Sequence, residues 1–244
     1  MDDNSVSFLT QIILKKSEKK KNFANSSKKF YKGTFTSDLI CKDSRLKLSL
    51  KNNQGVHFYS FIVNTITSYQ VSKNKIGHWL GIIIKCDTIS NKTVVYFIDS
   101  LGKPFTSYEF IKDYISDIRT RCKQNSYTFN CEYLTKNIQN RRSNVCGIYV
   151  VFGVTSLWEN SDKSLSQIFS KYLKSGNSHL NDKNIVKFLY KHWQPSQCHN
   201  RYYPWKILPI SKLVSNKKTP SFCPKSTLNL RSCLMKMCAC YFGE

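Results

Sequence analysis

The stretch Gln139-Asn-Arg-Arg-Ser-Asn-Val-Cys146-Gly-Ile-Tyr-Val150 places a cysteine where a polar loop meets an apolar run. The apolar run continues to about Trp158 and predicts a buried helix. Ser143 and Asn144 are residue types that favour a helix N-cap. A cysteine in the first turn of a helix meets the positive end of the helix dipole, which favours the thiolate. We therefore predict that Cys146 is a nucleophile, and an ordinary core thiol is the alternative.

A cysteine nucleophile needs an imidazole and a group that orients it, and a segment upstream supplies both residue types. Residues 75–85 predict a turn followed by a strand, with His78 at the start of the strand. Residues 93–99 predict a second strand, and 87–92 suit a hairpin loop. Pairing of the two strands would bring Asp99 near His78. Alternatively, His78 is a strand-edge histidine satisfied by the backbone, and Asp99 only nucleates a turn.

The polar loop before Cys146 also offers a donor for a developing oxyanion. Gln139 lies seven residues before the cysteine. Its side-chain amide and the backbone N–H of Cys146 are the two donors that we predict for an oxyanion hole. A plain loop residue is the alternative for Gln139.

The remaining periodicity predicts a mixed α+β fold. Residues 126–134 alternate well enough for a third strand, and residues 107–122 predict an amphipathic helix. Three more helices are expected at 58–69, 165–172 and 185–193, and Asn181 or Asp182 is a candidate cap for the last of these.

The charge of the chain indicates a polyanionic partner. Lys and Arg number 38 against 15 Asp and Glu, for a net charge of +23. An excess of this size favours nucleic acid through counterion release, whereas a lysine-rich coding bias is the alternative. No apolar stretch is long enough for a transmembrane helix, so no membrane partner is expected.

The ten cysteines lack the regular spacing of a secreted disulfide scaffold, which favours a reducing compartment and free thiols. Their spacing in the tail is not the paired form typical of zinc sites, so we expect no metal. We divide the chain into a basic arm (1–29), a catalytic domain (30–195) and a tail rich in cysteine and proline (196–244).

These motifs together resemble the adenovirus protease (adenain) family, which shares a clan with the Ulp-type SUMO proteases. The matching stretches are Gly33-Thr34-Phe35, Ile62 to Thr65, Gly77-His78-Trp79, Tyr96 to Gly102, Gln139 with six residues before Cys146, Cys146 to Tyr149, and the late segment Asn184 to His192. Asp99 departs from the glutamate common in the adenovirus branch and agrees with the Ulp branch. The gap between Gln139 and Cys146 favours the adenovirus branch.

The resemblance implies a papain-like or Ulp-type fold, with a small mixed or antiparallel sheet packed against helices. It implies that Cys146 is the nucleophile, His78 the general base and acid, Asp99 the orienting group and Gln139 the oxyanion donor. His57 is a rival base because Gly55-Val56-His57-Phe58 imitates the family's pattern, but no strand and acidic turn follow it at a suitable distance.

The resemblance also implies partners. The expected protein is a monomeric viral endopeptidase that cleaves capsid and core precursors in the host nucleus and the virion. Viral DNA and a short disulfide-linked peptide would activate it, with Cys122 and Cys131 as candidate attachment points. The alternatives are a protease of SUMO or ubiquitin-like modifiers and, in another class, a basic nucleic-acid-binding virion protein without enzymatic activity.

Overall fold

A computed structural model describes residues 6, 10–11, 13–14, 28–48, 55–73, 75 and 77–192, with side chains up to Phe188. Of the predicted arm, the residues described before position 28 are helical and most are buried. The predicted tail from 196 onwards lies outside the described residues, and the domain boundaries stay predictions. Within the described ranges, no helix has both the length and the apolar character needed to cross a membrane.

A five-stranded mixed sheet forms the centre of the fold, with its strands in chain order. They are β1 (Lys28–Thr36), β2 (Val56–Asn64), β3 (Trp79–Asp87), β4 (Lys92–Ile98) and β5 (Thr128–Tyr133). The three central strands run antiparallel to one another, whereas each edge strand is parallel to its neighbour.

The predicted hairpin of residues 78–99 is present. Strands β3 and β4 pair antiparallel from Gly81 opposite Ile98 to Asp87 opposite Lys92. The Asp87 side chain accepts hydrogen bonds from the backbone of Ile89 and from Ser90, which closes the connecting turn. Because the hairpin is antiparallel, the start of β3 and the end of β4 lie at the same end of the sheet.

The helix predicted for residues 58–69 is wrong, because this stretch forms β2 and the following turn. The family-like segment Ile62 to Thr65 therefore ends a strand. Strand β2 lies between β1 and β3 and packs Phe61 on one face of the sheet and Phe58 on the other. A strand buried on both faces loses the alternation of apolar and polar residues, so its apolar spacing imitates that of a buried helix.

Six α-helices lie among the described residues after position 55, two of them between strands and four after β5. They are α1 (Ser68–Ser72), α2 (Glu109–Gln124), α3 (Cys146–Glu159), α4 (Leu165–Ile168), α5 (Ser170–Ser175) and α6 (Ser178–His192). The prediction of an α+β fold with Cys146 at the N-terminus of a buried helix is confirmed. The expected cap is wrong: Val145 is the N-cap of α3 and makes no side-chain capping bond. Helix α6 begins earlier than predicted, so Asn181 and Asp182 lie inside it and do not cap it.

Helix α3 packs closely against one face of the sheet, and two glycines permit the approach. A Cβ on Gly81 would lie 2.9 Å from Val150 Cγ1, and a Cβ on Gly153 would lie 2.6 Å from Ile98 Cδ1. The close packing fixes the N-terminus of α3 beside the start of β3. Val6 and Ile13 of the N-terminal segment are buried in the same cluster.

Helix α2 covers the opposite face of the sheet. Its buried residues Ile111, Tyr114, Ile115, Ile118 and Cys122 pack in one cluster with side chains from the sheet. The sheet is thus enclosed by helices on both faces, which explains why its central strands are almost continuously apolar.

Candidate active site

His78 and Asp99 meet at the end of the sheet where β3 starts and β4 stops. His78 Nε2 lies 2.7 Å from Asp99 Oδ1. The backbone holds the histidine in place, because its N–H donates to Thr65 Oγ1 and its carbonyl accepts from the Thr65 N–H, both at 2.9 Å. The His78 side chain is 19% exposed and the Asp99 side chain is 1% exposed, so of the two only the histidine faces solvent.

The Asp99 carboxylate is saturated with donors. Oδ1 accepts from the Leu101 N–H at 2.8 Å as well as from His78, and Oδ2 accepts from the Tyr108 hydroxyl at 2.8 Å. A buried carboxylate with several donors is held in a fixed orientation. Asp99 therefore fixes the tautomer and the plane of the imidazole.

Cys146 is hydrogen-bonded to the same imidazole. Because Nε2 of His78 is committed to Asp99, Nδ1 is the ring nitrogen left for the sulfur. The Trp79 backbone N–H also donates to the sulfur. The cysteine is 9% exposed and stands as the first residue of α3.

The two reacting groups shift each other's protonation. Burial alone would raise the pKa of the Cys146 thiol, but the hydrogen bond and the positive charge of His78 bring the pKa below its ordinary value. Burial would lower the pKa of His78, yet its hydrogen bonds to Asp99 and Cys146 raise that pKa to about 9. A thiolate beside an imidazolium is the favoured state of this pair near neutral pH.

The other described thiols lack this activation. Burial raises the pKa of each of the four further cysteines that the structure describes, Cys41, Cys86, Cys122 and Cys131. Cys146 is therefore the only one of the described cysteines whose thiol pKa is lowered.

Gln139 lies in the loop that leads to α3, and both ends of its side-chain amide are engaged. Its Oε1 accepts from the Ser100 hydroxyl at 2.5 Å. Its Nε2 donates to the Ser143 carbonyl at 2.8 Å and to the Ser143 hydroxyl at 3.3 Å. Because the amide nitrogen carries two hydrogens, release of the longer contact leaves one of them for an oxyanion. The role predicted for Gln139 stays a prediction.

The rival histidine is far along the sheet from this site. His57 is 1% exposed and lies at the start of β2, opposite Cys86. Strand β2 runs antiparallel to β3, so its start lies at the other end of the sheet from His78.

The two cysteines predicted to attach a peptide are not surface residues. Cys122 is fully buried between α2 and the sheet. Cys131 is half-buried on β5, where burial and Glu132 raise its thiol pKa to about 12. A peptide disulfide at Cys122 would require this side of the core to open, and the attachment point stays a prediction. Within the described part of the chain, no group of histidine, cysteine and acidic side chains is arranged to hold a metal ion.

Three residues contact the site although no sequence pattern predicts these contacts. Tyr108 supports Asp99, Asp182 accepts hydrogen bonds from the Gln139 loop, and Val6 packs against Gly147 and Trp79 beside the nucleophile. Tyr108 precedes α2 and Asp182 lies within α6, so tertiary structure alone brings them here. No motif in the sequence signals these contacts.

Fold and site together define a class: an α+β protein whose cysteine, histidine and aspartate are arranged for thiol-based nucleophilic catalysis. The arrangement supplies a nucleophile, a proton carrier and an orienting carboxylate. The N–H of Cys146, as the first helical residue, is also outside the intrahelical hydrogen-bond ladder.

No protein-family model matches the chain, and no curated protein matches it. Among solved structures, the ASFV pS273R protease is similar at a TM-score of 0.37 and 15% identity, over 54% of this chain and 41% of that chain. The chain thus spans about two fifths of that protease. The Legionella pneumophila effector RavZ is similar at a TM-score of 0.47 and 12% identity, over 78% of this chain and 64% of that chain.

Proposed function

We propose that the protein is a cysteine endopeptidase of the Ulp-type clan. The observation that carries the proposal is the convergence of Cys146, His78 and Asp99, with the thiol pKa lowered and the imidazole pKa raised. A structural cysteine in an apolar core has a raised pKa, as the buried Cys86 and Cys122 do.

The reaction begins with attack of the Cys146 thiolate on a peptide carbonyl. The carbonyl oxygen becomes negatively charged and accepts hydrogen bonds from the Cys146 N–H and from Gln139. The imidazolium of His78 gives its proton to the leaving amine, and the peptide bond breaks to leave a thioester. Neutral His78 then takes a proton from water, which attacks the thioester. The C–S bond breaks, the acid product leaves, and the thiolate–imidazolium pair is restored.

The substrates in this proposal are virion precursor proteins, cut after small, glycine-containing sites in the host nucleus and the virion. This part rests on the sequence resemblance to the adenovirus protease family. Activation by a short peptide rests on the same resemblance. Activation by DNA is supported independently by the net charge of +23.

A protease of SUMO or ubiquitin-like modifiers is the second candidate. The observation in its favour is Asp99, since the Ulp branch uses aspartate at this position. Release of a Gly-Gly-ending modifier, without cleavage of peptides that carry internal glycine-containing sites, would assign the protein to this branch.

The deciding experiment is hydrolysis of a fluorogenic peptide library with glycine-containing sites by the wild type and by Cys146→Ala. Loss of turnover in Cys146→Ala is expected, with Cys41→Ala as the matched control that keeps it. Cys41 is exposed and lies on the α2 side of the sheet. Equal turnover in the wild type and Cys146→Ala would leave the non-enzymatic nucleic-acid-binding protein as the better account.

The DNA partner has its own test. Addition of double-stranded DNA should raise the hydrolysis rate, and the increase should decline as salt rises, because counterion release drives such binding. A rate that DNA does not change at low salt would remove DNA from the proposal.

A further inference from the structure

A buried carboxylate that the mechanism does not use lies beside the loop that carries Gln139. Asp182 of α6 is 0% exposed. Burial of a carboxylate destabilises the folded protein unless hydrogen bonds satisfy its oxygens. The hydrogen-bond partners of Asp182 therefore indicate its role.

Two hydrogen-bond partners of Asp182, Asn140 and Tyr149, belong to the segment that leads into α3 and to α3 itself. The Asn140 N–H lies 3.2 Å from Oδ2, and the Tyr149 hydroxyl donates to Oδ1 at 3.0 Å. The Ser143 hydroxyl donates to the Asn140 carbonyl at 2.8 Å and accepts from Gln139 Nε2 at 3.3 Å, so it joins Asn140 to the Gln139 amide. The Asp182 side chain thus ties the residue after Gln139 to the nucleophile helix.

Neighbouring contacts reinforce the same loop. Asn181 Nδ2 donates to the Ile138 carbonyl at 3.0 Å, directly before Gln139. The Gln139 amide in turn donates to Ser143. A short polar chain therefore runs from Asp182 through Asn140 and Ser143 to the Gln139 amide.

We propose that Asp182 is a positioning residue that holds the Gln139 loop in register with Cys146, so that the oxyanion donor stands ready when the thiolate attacks. Asp182 does not touch substrate and acts through Asn140 and Ser143. This inference rests on the proposed peptidase function, because it assigns a task within that reaction.

Alkylation separates positioning from simple stability. Iodoacetamide reacts with the thiolate without forming an oxyanion, so its rate reports only the Cys146–His78 pair. Peptide hydrolysis needs both the pair and the oxyanion donors. Asp182→Ala should lower kcat for hydrolysis by about tenfold or more while its alkylation rate stays within about twofold of the wild type.

A double-mutant cycle with Gln139→Ala tests whether Asp182 acts through Gln139. If Asp182 acts through Gln139, Asp182→Ala should add little to the loss already caused by Gln139→Ala. Additive losses, wild-type hydrolysis in Asp182→Ala, or a parallel loss of alkylation would each overturn the proposal.

Tyr149→Phe covers the case in which Asp182→Ala does not fold. It removes the hydroxyl that donates to Asp182 at 3.0 Å and to the Ile138 carbonyl at 3.3 Å. The aromatic ring stays, so kcat should fall by about threefold with alkylation unchanged. Tyr172→Phe is the matched control, because its ring contacts that of Tyr149 at a centroid distance of 5.6 Å and it should keep full activity. An unchanged kcat in Tyr149→Phe would count against the network.

Hydrogen exchange tests the role of Asp182 without relying on peptide hydrolysis. Asp182→Ala should speed exchange of the Asn140 amide, which donates to Asp182, whether or not the protein cleaves peptides. No hydrolysis by the wild type would refute the proposed function, and unchanged Asn140 exchange would refute the role of Asp182.

Discussion

Tyr108 donates its phenol hydrogen to Asp99 Oδ2 at 2.8 Å, on the carboxylate oxygen that His78 leaves unoccupied. The orienting carboxylate is therefore held from both sides, by the imidazole on Oδ1 and by a tyrosine on Oδ2. Burial and the nearby Asp99 charge raise the pKa of Tyr108, so its hydroxyl stays protonated and remains a donor throughout the working pH range.

Tyr108→Phe tests this support. Removing a hydrogen bond to a charged group costs about 1.5–3 kcal/mol and frees the Asp99 carboxylate to rotate. We expect kcat to fall by about tenfold, with KM little changed. Kinetics on a peptide substrate, together with denaturant unfolding, measure both effects.

Tyr114→Phe is the control for that experiment. Tyr114 lies on α2 and donates to the Leu46 carbonyl at 2.8 Å, away from the catalytic end of the sheet. It should lose stability without losing turnover. A similar fall in kcat in both variants would show that Tyr108 acts through general stability.

Thiol reactivity should be concentrated at Cys146. Its pKa is lowered, whereas the exposed thiol of Cys41 has a pKa raised by burial and by the charges of Asp113 and Asp117. Mild iodoacetamide at pH 7 followed by peptide mass analysis should therefore label Cys146 before Cys41. His78→Ala should abolish this order, and equal labelling of both sites in the wild type would contradict an activated thiolate.

The pH dependence of hydrolysis follows from the signs of the two shifts. The rate rises as the thiolate forms, at a pH below the ordinary thiol range, because His78 lowers the pKa of Cys146. It falls as pH passes about 9, where His78 loses the proton that the leaving amine requires. Asp99→Asn removes one cause of the raised His78 pKa, so the falling limb should move to lower pH. A falling limb that does not move in Asp99→Asn would contradict the contribution of Asp99.

Gly102 supports the turn that follows Asp99. Its φ of +69° is unfavourable for other residues, and an added Cβ would lie 2.3 Å from the backbone carbonyl carbon of Lys136. Gly102→Ala should lower both stability, by about 2 kcal/mol or more, and activity, because the turn also presents the Leu101 N–H to Asp99. Gly176→Ala is the matched control, with φ of +61° and open space around it. Thermal unfolding measures the loss of stability in each variant. Equal losses would mean that the positive φ, and not the contact with Lys136, causes the loss at Gly102.

Local pattern was enough to predict the half of the site that lies on the hairpin. His78 and Asp99 flank two strands rich in β-branched residues, and a short polar loop joins these strands, so their proximity follows from antiparallel pairing. The position of Cys146 was predictable for a similar reason, since a polar loop gives way to an apolar helix at that residue.

The remaining features of the fold and the site depend on tertiary structure. Residues 58–69 were predicted as a helix because β2 is buried on both faces and its apolar pattern carries no clear period. Tyr108 approaches the site from the N-cap of α2 and Asp182 from within α6, and neither side chain gives a local signal in the sequence. The N-cap was mispredicted because Ser143 bonds within the Gln139 loop and leaves the start of α3 to Val145.

The close contact of α3 with β3 at Gly81 and with β4 at Gly153 has a consequence for how the protein folds. Cys146 and His78 come from elements that do not neighbour each other in sequence, so a folding intermediate with α3 undocked carries a thiol of ordinary reactivity. Docking of the helix is then the step that switches on the nucleophile. Under the proposed peptidase function, a chain in which α3 has not docked is unable to cleave itself or its neighbours.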